Sequence, residues 1–280
     1  MNSPITISVS LCRTRARRSA WLALATAIAS FASLHVCAAM SVMIWPIDPV
    51  IESAQRAAAL WLENRDNKPV TLQVRVLGWR EADFKDVYDE DQDRVAGSPP
   101  MTTVPPGKRQ LIRLTRLADV APGTEEAYRV LIDEIPQPDE DASSPSNVVS
   151  LGVKFQMHYS IPLFVYGDGL WRKEDSSKRR DPATAGRPIL HWHVASEGSK
   201  RWLVLSNHGP VHARITQVAF DTNGSRAEFA DGLLGYVLPG AQMRWALPNT
   251  VKLETKPKLI ATVNGKTDVE IESAPANTNQ

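Results

Sequence analysis

Cysteine is almost missing from this chain. Of 280 residues only Cys12 and Cys37 are cysteines, and both lie near the N-terminus. If that segment is removed as a leader, the remaining protein has no disulfide, no Cys-ligated metal and no thiol chemistry. Acids are missing from residues 1–39, which hold Arg13, Arg15, Arg17 and Arg18. No long segment has the 3.6-residue period of an amphipathic helix. There is no Gly-rich phosphate loop, no GxSxG elbow and no HExxH pair, so the usual signatures of nucleotide, acyl-transfer and zinc-protease chemistry are excluded.

The basic, acid-free start reads as a secretory leader over residues 1–39. "RTRARR" is its charged part, "AWLALATAIASFASLHV" its apolar part, and "VCAA" offers small-residue cleavage sites after Ala38 or Ala39. An uncleaved anchor is the alternative, but the apolar stretch is short for a span. Without the four leader arginines, 28 of the 32 basic residues face 31 acidic ones, a net charge of −3. The mature chain therefore has no overall attraction to nucleic acid or anionic membrane, and no stable membrane insertion is expected after cleavage.

What is present is alternation. "AALWLEN", "VTLQVRVLGW", "KRQLIRLTRL" and "EAYRVLIDEIP" alternate with period two and are separated by Pro, Gly, Asn and Asp. Short strands at regular spacing predict a β-sandwich over residues 40–165. Residues 166–187 are charged and aperiodic, which marks a connector. "PILHWHV", "RWLVLSN", "HARITQVAF", "GYVLPG", "MRWAL", "KLIATV" and "DVEIES" predict a second β-domain over 188–274, with a tail at 275–280. No internal repeat is evident.

One strand is unusually long. In "LGVKFQMHYSIPLFV", residues 151–165, Leu151, Val153, Phe155, Met157, Tyr159, Ile161 and Leu163 all share one face. A long apolar edge strand is an aggregation hazard unless something covers it. Ile161 and Leu163 are expected to pack within the protein itself.

Several segments in order resemble one family, the PapD-like periplasmic chaperones of pilus and fimbria assembly, in their archaic Csu and spore-coat branch. "IWPIDPVIESAQRAAALWLEN" is similar to the family's first two strands and "VRVLGWRE" to its Trp-containing third. "SPPMTTVPPGKRQLIRL" resembles its Pro-Pro segment and Arg-bearing strand. "EAYRVLIDEIP" resembles its Tyr/Phe-Arg strand ending in Glu-Ile-Pro, and "IPLFV" the end of its long last strand. "LVLSNHGPVHARI" and "GYVLPGAQMRW" look like the second domain of the archaic branch.

The resemblance implies an all-β fold of two Ig-like sandwiches set as a boomerang. It implies a periplasmic protein with no catalysis and no cofactor, whose partners are pilin or fimbrial subunits and an outer-membrane usher. The function it implies is donor-strand complementation. The chaperone lends its long strand to a subunit that lacks one, and side chains at alternate positions fill the subunit's open core. On this reading Val153, Phe155 and Met157 fill the pockets, flanked by Leu151 and Tyr159. Self-association of the free chaperone stays open.

The family's carboxylate anchor is not where it is expected. The first-strand Arg position falls at Asp48 and the last-strand Lys position at Pro162. Lys154 and Arg113 are the substitute candidates for receiving a subunit carboxylate. Arg129 and Glu134 are expected to form a structural ion pair.

Other chemistry is thin. His191 and His193 share a strand face and, with His208 or His212, could ligate a metal. "DVYDEDQDR" lacks the central Gly and terminal Glu of a calcium loop, so no metal site is expected. Trp61, Trp79, Trp192, Trp202 and Trp245 fall on strands, where packing is their commoner use. The rival readings are an exported two-domain β-sandwich that binds carbohydrate or acts as an adhesin, and a metal-dependent periplasmic enzyme.

Overall fold

The structure, a computed structural model, describes residues 42–136, 156–172, 179–222, 225–249, 251 and 257–274. The leader with both cysteines lies outside the described residues, as do Leu151, Val153, Lys154 and Phe155. Among the described residues no helix is long and apolar enough to cross a membrane.

The first sandwich contains β1 (Val42–Trp45), β2 (Val50–Ile51), β3 (Ala57–Asn64), β4 (Val70–Ala82), β5 (Lys85–Asp89), β6 (Val95–Ser98), β7 (Met101–Val104), β8 (Arg109–Arg116), β9 (Glu125–Glu134) and β10 (His158–Tyr166). One sheet has the order β1-β3-β8-β6. The other runs β2-β10-β9-β4-β5, with β7 also paired to β4. The alternation seen in the sequence is what closes this sandwich. Leu60 and Leu62, Ile112 and Leu114, Leu72 and Val74, and Val130 and Ile132 all point inward and are buried. Full burial is worth about 1.5–3 kcal/mol for each such side chain.

The second sandwich contains β11 (Leu190–Glu197), β12 (Lys200–Asn207), β13 (Ala213–Thr222), β14 (Ser225–Val237), β15 (Gln242–Leu247), β16 (Lys258–Val263) and β17 (Lys266–Ser273). Its seven strands form one continuous path, β14-β13-β16-β17-β11-β12-β15. This path encloses a core that includes Trp192, Leu203, Leu205, Ile215, Phe220 and Ile271.

The two sandwiches share a device that the sequence hid. Asn64 ends β3 and Asn207 ends β12, and both are fully buried. Asn64 Nδ2 donates to the carbonyls of Lys68 and Val104, and its Oδ1 accepts from Asp66 N–H. Asn207 Nδ2 donates to the carbonyls of Val211 and Val237, and its Oδ1 accepts from Gly209 N–H. Each Asn carbonyl also accepts from the glycine of a Pro-Gly turn, Gly107 or Gly240. Both glycines have positive φ, 66° and 72°, which suits residues without a Cβ. A repeat is therefore present, in turn chemistry rather than in strand sequence.

Candidate functional site

The long strand β10 pairs with β9 along its whole length, from His158↔Asp133 to Tyr166↔Glu125. On its other side only Phe164 and Val165 are covered, by parallel pairing with Val50 and Ile51 of β2. Among the described residues the outer edge of β10 is therefore bare from His158 to Leu163. Unpaired backbone groups in such a row are a template for another strand.

The two faces of β10 do different work. Its odd residues turn to the first core: Leu163 and Val165 are buried there, and Tyr159 and Ile161 pack on it half-buried. The inward face is thus buried at Leu163 and Val165 and half-buried at Ile161, Tyr159 and Met157, the last just before the strand. Tyr159 and Ile161 meet this protein's own core and also border the bare edge, so the expected split between donated and internal residues is a gradient. Of the five donor candidates, only Met157 and Tyr159 fall among the described residues.

A polar clasp holds the start of the strand. His158 Nδ1 lies 2.9 Å from Asp133 Oδ1, and Arg75 donates to Asp133 Oδ2 at 3.0 Å. Gln156 Nε2 donates to the Glu134 carbonyl at 2.7 Å. Partial burial works to raise the Asp133 carboxyl, but the hydrogen bonds from His158 and Arg75 outweigh it and hold it below the usual range.

The last two even residues of β10 serve the junction between the sandwiches. Phe164 and Tyr166 are buried in a third core with Trp79, Leu170, Val211 and Leu238. Phe164 stacks on His212, with ring centroids 3.4 Å apart. His212 Nδ1 lies 2.8 Å from Glu125 Oε2, and the His212 N–H donates to Glu125 Oε1 at 3.0 Å. Glu81 Oε2 similarly accepts the N–H of Leu238 at 2.8 Å. Burial pushes Glu125 up to about 8, against the pull of the His212 N–H and of Arg172. Burial likewise raises Glu81 to about 7, opposed by the Leu238 N–H.

The expected Arg129–Glu134 pair is not formed. Five positions apart on β9, the two residues face opposite ways. Arg129 turns to the junction, where its guanidinium lies 3.7 Å from the Trp79 ring centre and 5.2 Å from that of Tyr236. An aromatic face there takes the place of a carboxylate. Asp133, the neighbour of Glu134, takes Arg75 instead.

Arg113 stands exposed on β8, in the other sheet from β10, opposite Ala59 and Ser98. Asp48, at the expected anchor position, faces Arg172 at 3.9 Å. Pro162 is buried beside Arg129 in register. His212 belongs to the junction and does not join His191 and His193. The His191 and His208 rings meet with centroids 5.3 Å apart, and His193 is exposed. Asp86, in the acidic run, accepts Trp79 Nε1–H at 2.7 Å and so has a structural use. Trp61 is not a core residue: it stacks on Trp45 on an outward face. Spacing could not reveal the Glu125–His212 contact, because its partners are 87 residues apart.

Two β-sandwiches meet at an apolar junction, and the strand that feeds both cores keeps a bare edge open to strand pairing. Residues 45–170 match the family described as "Pili and flagellar-assembly chaperone, PapD N-terminal domain". The likeness to pilus-assembly chaperones rests on residues 45–170, the first sandwich and the turn after it. Among solved structures it is similar to the CsuC–CsuE chaperone–tip adhesion subunit pre-assembly complex from the archaic chaperone-usher Csu pili of Acinetobacter baumannii. That match has 29% identity and a TM-score of 0.64, covering 84% of this chain and 100% of that one. The YadV chaperone aligns at 17% identity and TM-score 0.54, covering 83% and 98%. The E. coli chaperone DraB aligns at 20% and 0.52, covering 84% and 96%; these two likenesses concern the fold. No protein among the curated ones matches the sequence.

Proposed function

We propose that this protein is a periplasmic chaperone that folds and caps pilus subunits by donor-strand complementation and delivers them to an outer-membrane usher. The observation that carries the proposal is the bare edge of β10 over His158–Leu163. The inward face passes from buried at Leu163 to half-buried at Ile161, Tyr159 and Met157, and the sequence continues the same alternation back to Leu151. A subunit lacking one strand would pair its backbone with that edge and take Val153, Phe155 and Met157 into its open core. Leu151 and Tyr159 flank them. Lys154 and Arg113 are the candidate cations for a subunit carboxylate, since Asp48 and Pro162 occupy the family's usual positions. The mechanism uses no catalysis and no cofactor: strand pairing and apolar burial supply the free energy.

The test is co-expression of the mature chain with the small exported β-rich proteins encoded beside it, followed by isolation from the periplasm. The expected result is a one-to-one complex that is lost in Phe155→Asp, while the free variant melts at the wild-type temperature. If Phe155→Asp instead unfolds the free protein, the residue belongs to its own core and the donor role fails.

A further inference from the structure

The outward face of the four-stranded sheet does not look like the solvated side of a sandwich. Three apolar side chains lie in one row across it. Trp45 of β1 is opposite Trp61 of β3, which is opposite Leu111 of β8. The two indoles are nearly parallel, 14° apart, with ring centroids at 6.3 Å. Leu111 is 38% exposed, Met43 is 37% exposed, and Ile47, just beyond β1, is 65% exposed. A contiguous exposed apolar stripe of this kind marks an interaction site more often than chance.

The next row, Met43–Glu63–Arg109, gives the stripe a charge of one sign. Glu63 is nearly buried. Its Oε1 holds Arg65 Nε at 2.6 Å and its Oε2 holds Arg109 Nε at 2.7 Å. Both contacts use Nε. The Arg109 side chain remains 62% exposed, with its guanidinium carbon 5.2 Å from the Trp45 ring centre. One carboxylate thus fixes two guanidinium groups; Arg65 Nη2 donates to Met43 Sδ at 3.5 Å, and the terminal nitrogens of Arg109 suit a partner's carboxylate. Arg113, two residues beyond Leu111, adds an exposed cation on the same face.

The stripe also begins at a special place. Among the described residues β1 is paired only with β3, so its outer edge is bare. Residues 46–49 carry the chain from β1 to β2, which lies on β10. The bare edges of β1 and β10 therefore lie on one flank of the sandwich, and the Trp45 row starts where that flank turns outward.

We propose that the outward face of β1, β3 and β8 is a second docking surface for the captured subunit. It takes an extended acidic segment whose carboxylate meets Arg109, Arg65 or Arg113 and whose apolar side chain lies on Trp45, Trp61 and Leu111. The inference rests on the donor-strand reading, because the subunit on the β10 edge is what brings that segment to the face.

Leu111→Asp and Arg109→Gln test it, since both side chains are exposed and neither is a candidate anchor of the donor-strand reading. The dissociation constant of the chaperone–subunit complex is measured for each at low and high salt. Each variant is expected to weaken the complex about tenfold, about 1.4 kcal/mol. The Arg109→Gln loss should shrink as salt rises, and both free proteins should stay folded, Glu63 keeping Arg65 as its partner. If both variants bind the subunit normally while Phe155→Asp does not, the donor strand stands and this face is not part of the interface. If the wild-type chain captures no subunit, both proposals fall.

Discussion

Asn64 and Asn207 are fully buried polar side chains in which each amide makes several hydrogen bonds to backbone. Removing such a side chain strands the carbonyls and N–H groups it satisfies, at about 1–3 kcal/mol for each uncompensated group. Asn64→Ala is therefore expected to lower the stability of the first sandwich by about 2 kcal/mol or more, measured as a shift in denaturant midpoint. An unchanged midpoint would mean that water replaces the amide without cost. The position of each asparagine at a strand end was legible in the sequence, but its role was not. The groups it bonds include Val104 and Val237, which lie 40 and 30 residues away. Arg129 was misread for a related reason. Its aromatic partners Trp79 and Tyr236 come from other elements, and sequence proximity favoured an acid on its own strand.

At the scale of the element, β10 divides into an end that is core and an end that borders the bare edge. Leu163 is fully buried, so Leu163→Ala should cost about 2–5 kcal/mol of stability in the free protein. Tyr159→Asp, nearer the bare edge, should cost less stability and more subunit capture. Thermal melts and pull-downs on the same two variants check this. Equal destabilisation by both would mean that the strand has no division of labour. Of the period-two pattern over residues 151–165, the structure bears out the strand from His158 onward and its greasy face; Gln156 and Met157 precede the strand, and 151–155 lie outside the described residues. The pattern could not show which odd residues the protein keeps for itself, because one periodicity serves both uses.

At the scale of the molecule, the two sandwiches meet around carboxyls that burial holds partly protonated. Glu125 and Glu81 are raised from 4.5 to about 8 and about 7. A carboxyl raised in this way binds a proton in the folded state that the unfolded chain has released. Its contribution is complete below about pH 4.5 and is lost as pH rises through 7 to 8. The melting temperature should therefore fall as pH rises across that window, and Glu125→Gln should flatten the slope. A slope that is unchanged in Glu125→Gln would place the titration elsewhere. That the chain builds two β-sandwiches was legible from strand spacing. The junction was not, because Trp79, Phe164, Val211 and Leu238 come from distant stretches and follow no shared period.

Because the odd side chains of β10 answer to the first core, and Phe164 and Tyr166 at its end to the junction, the strand carries two independent alphabets. Recognition can drift in one without rewriting the other. A substitution at Met157 or Tyr159 leaves the side chains of Phe164 and Tyr166 where they are, so the strand can acquire a new client while the hinge it threads keeps its shape.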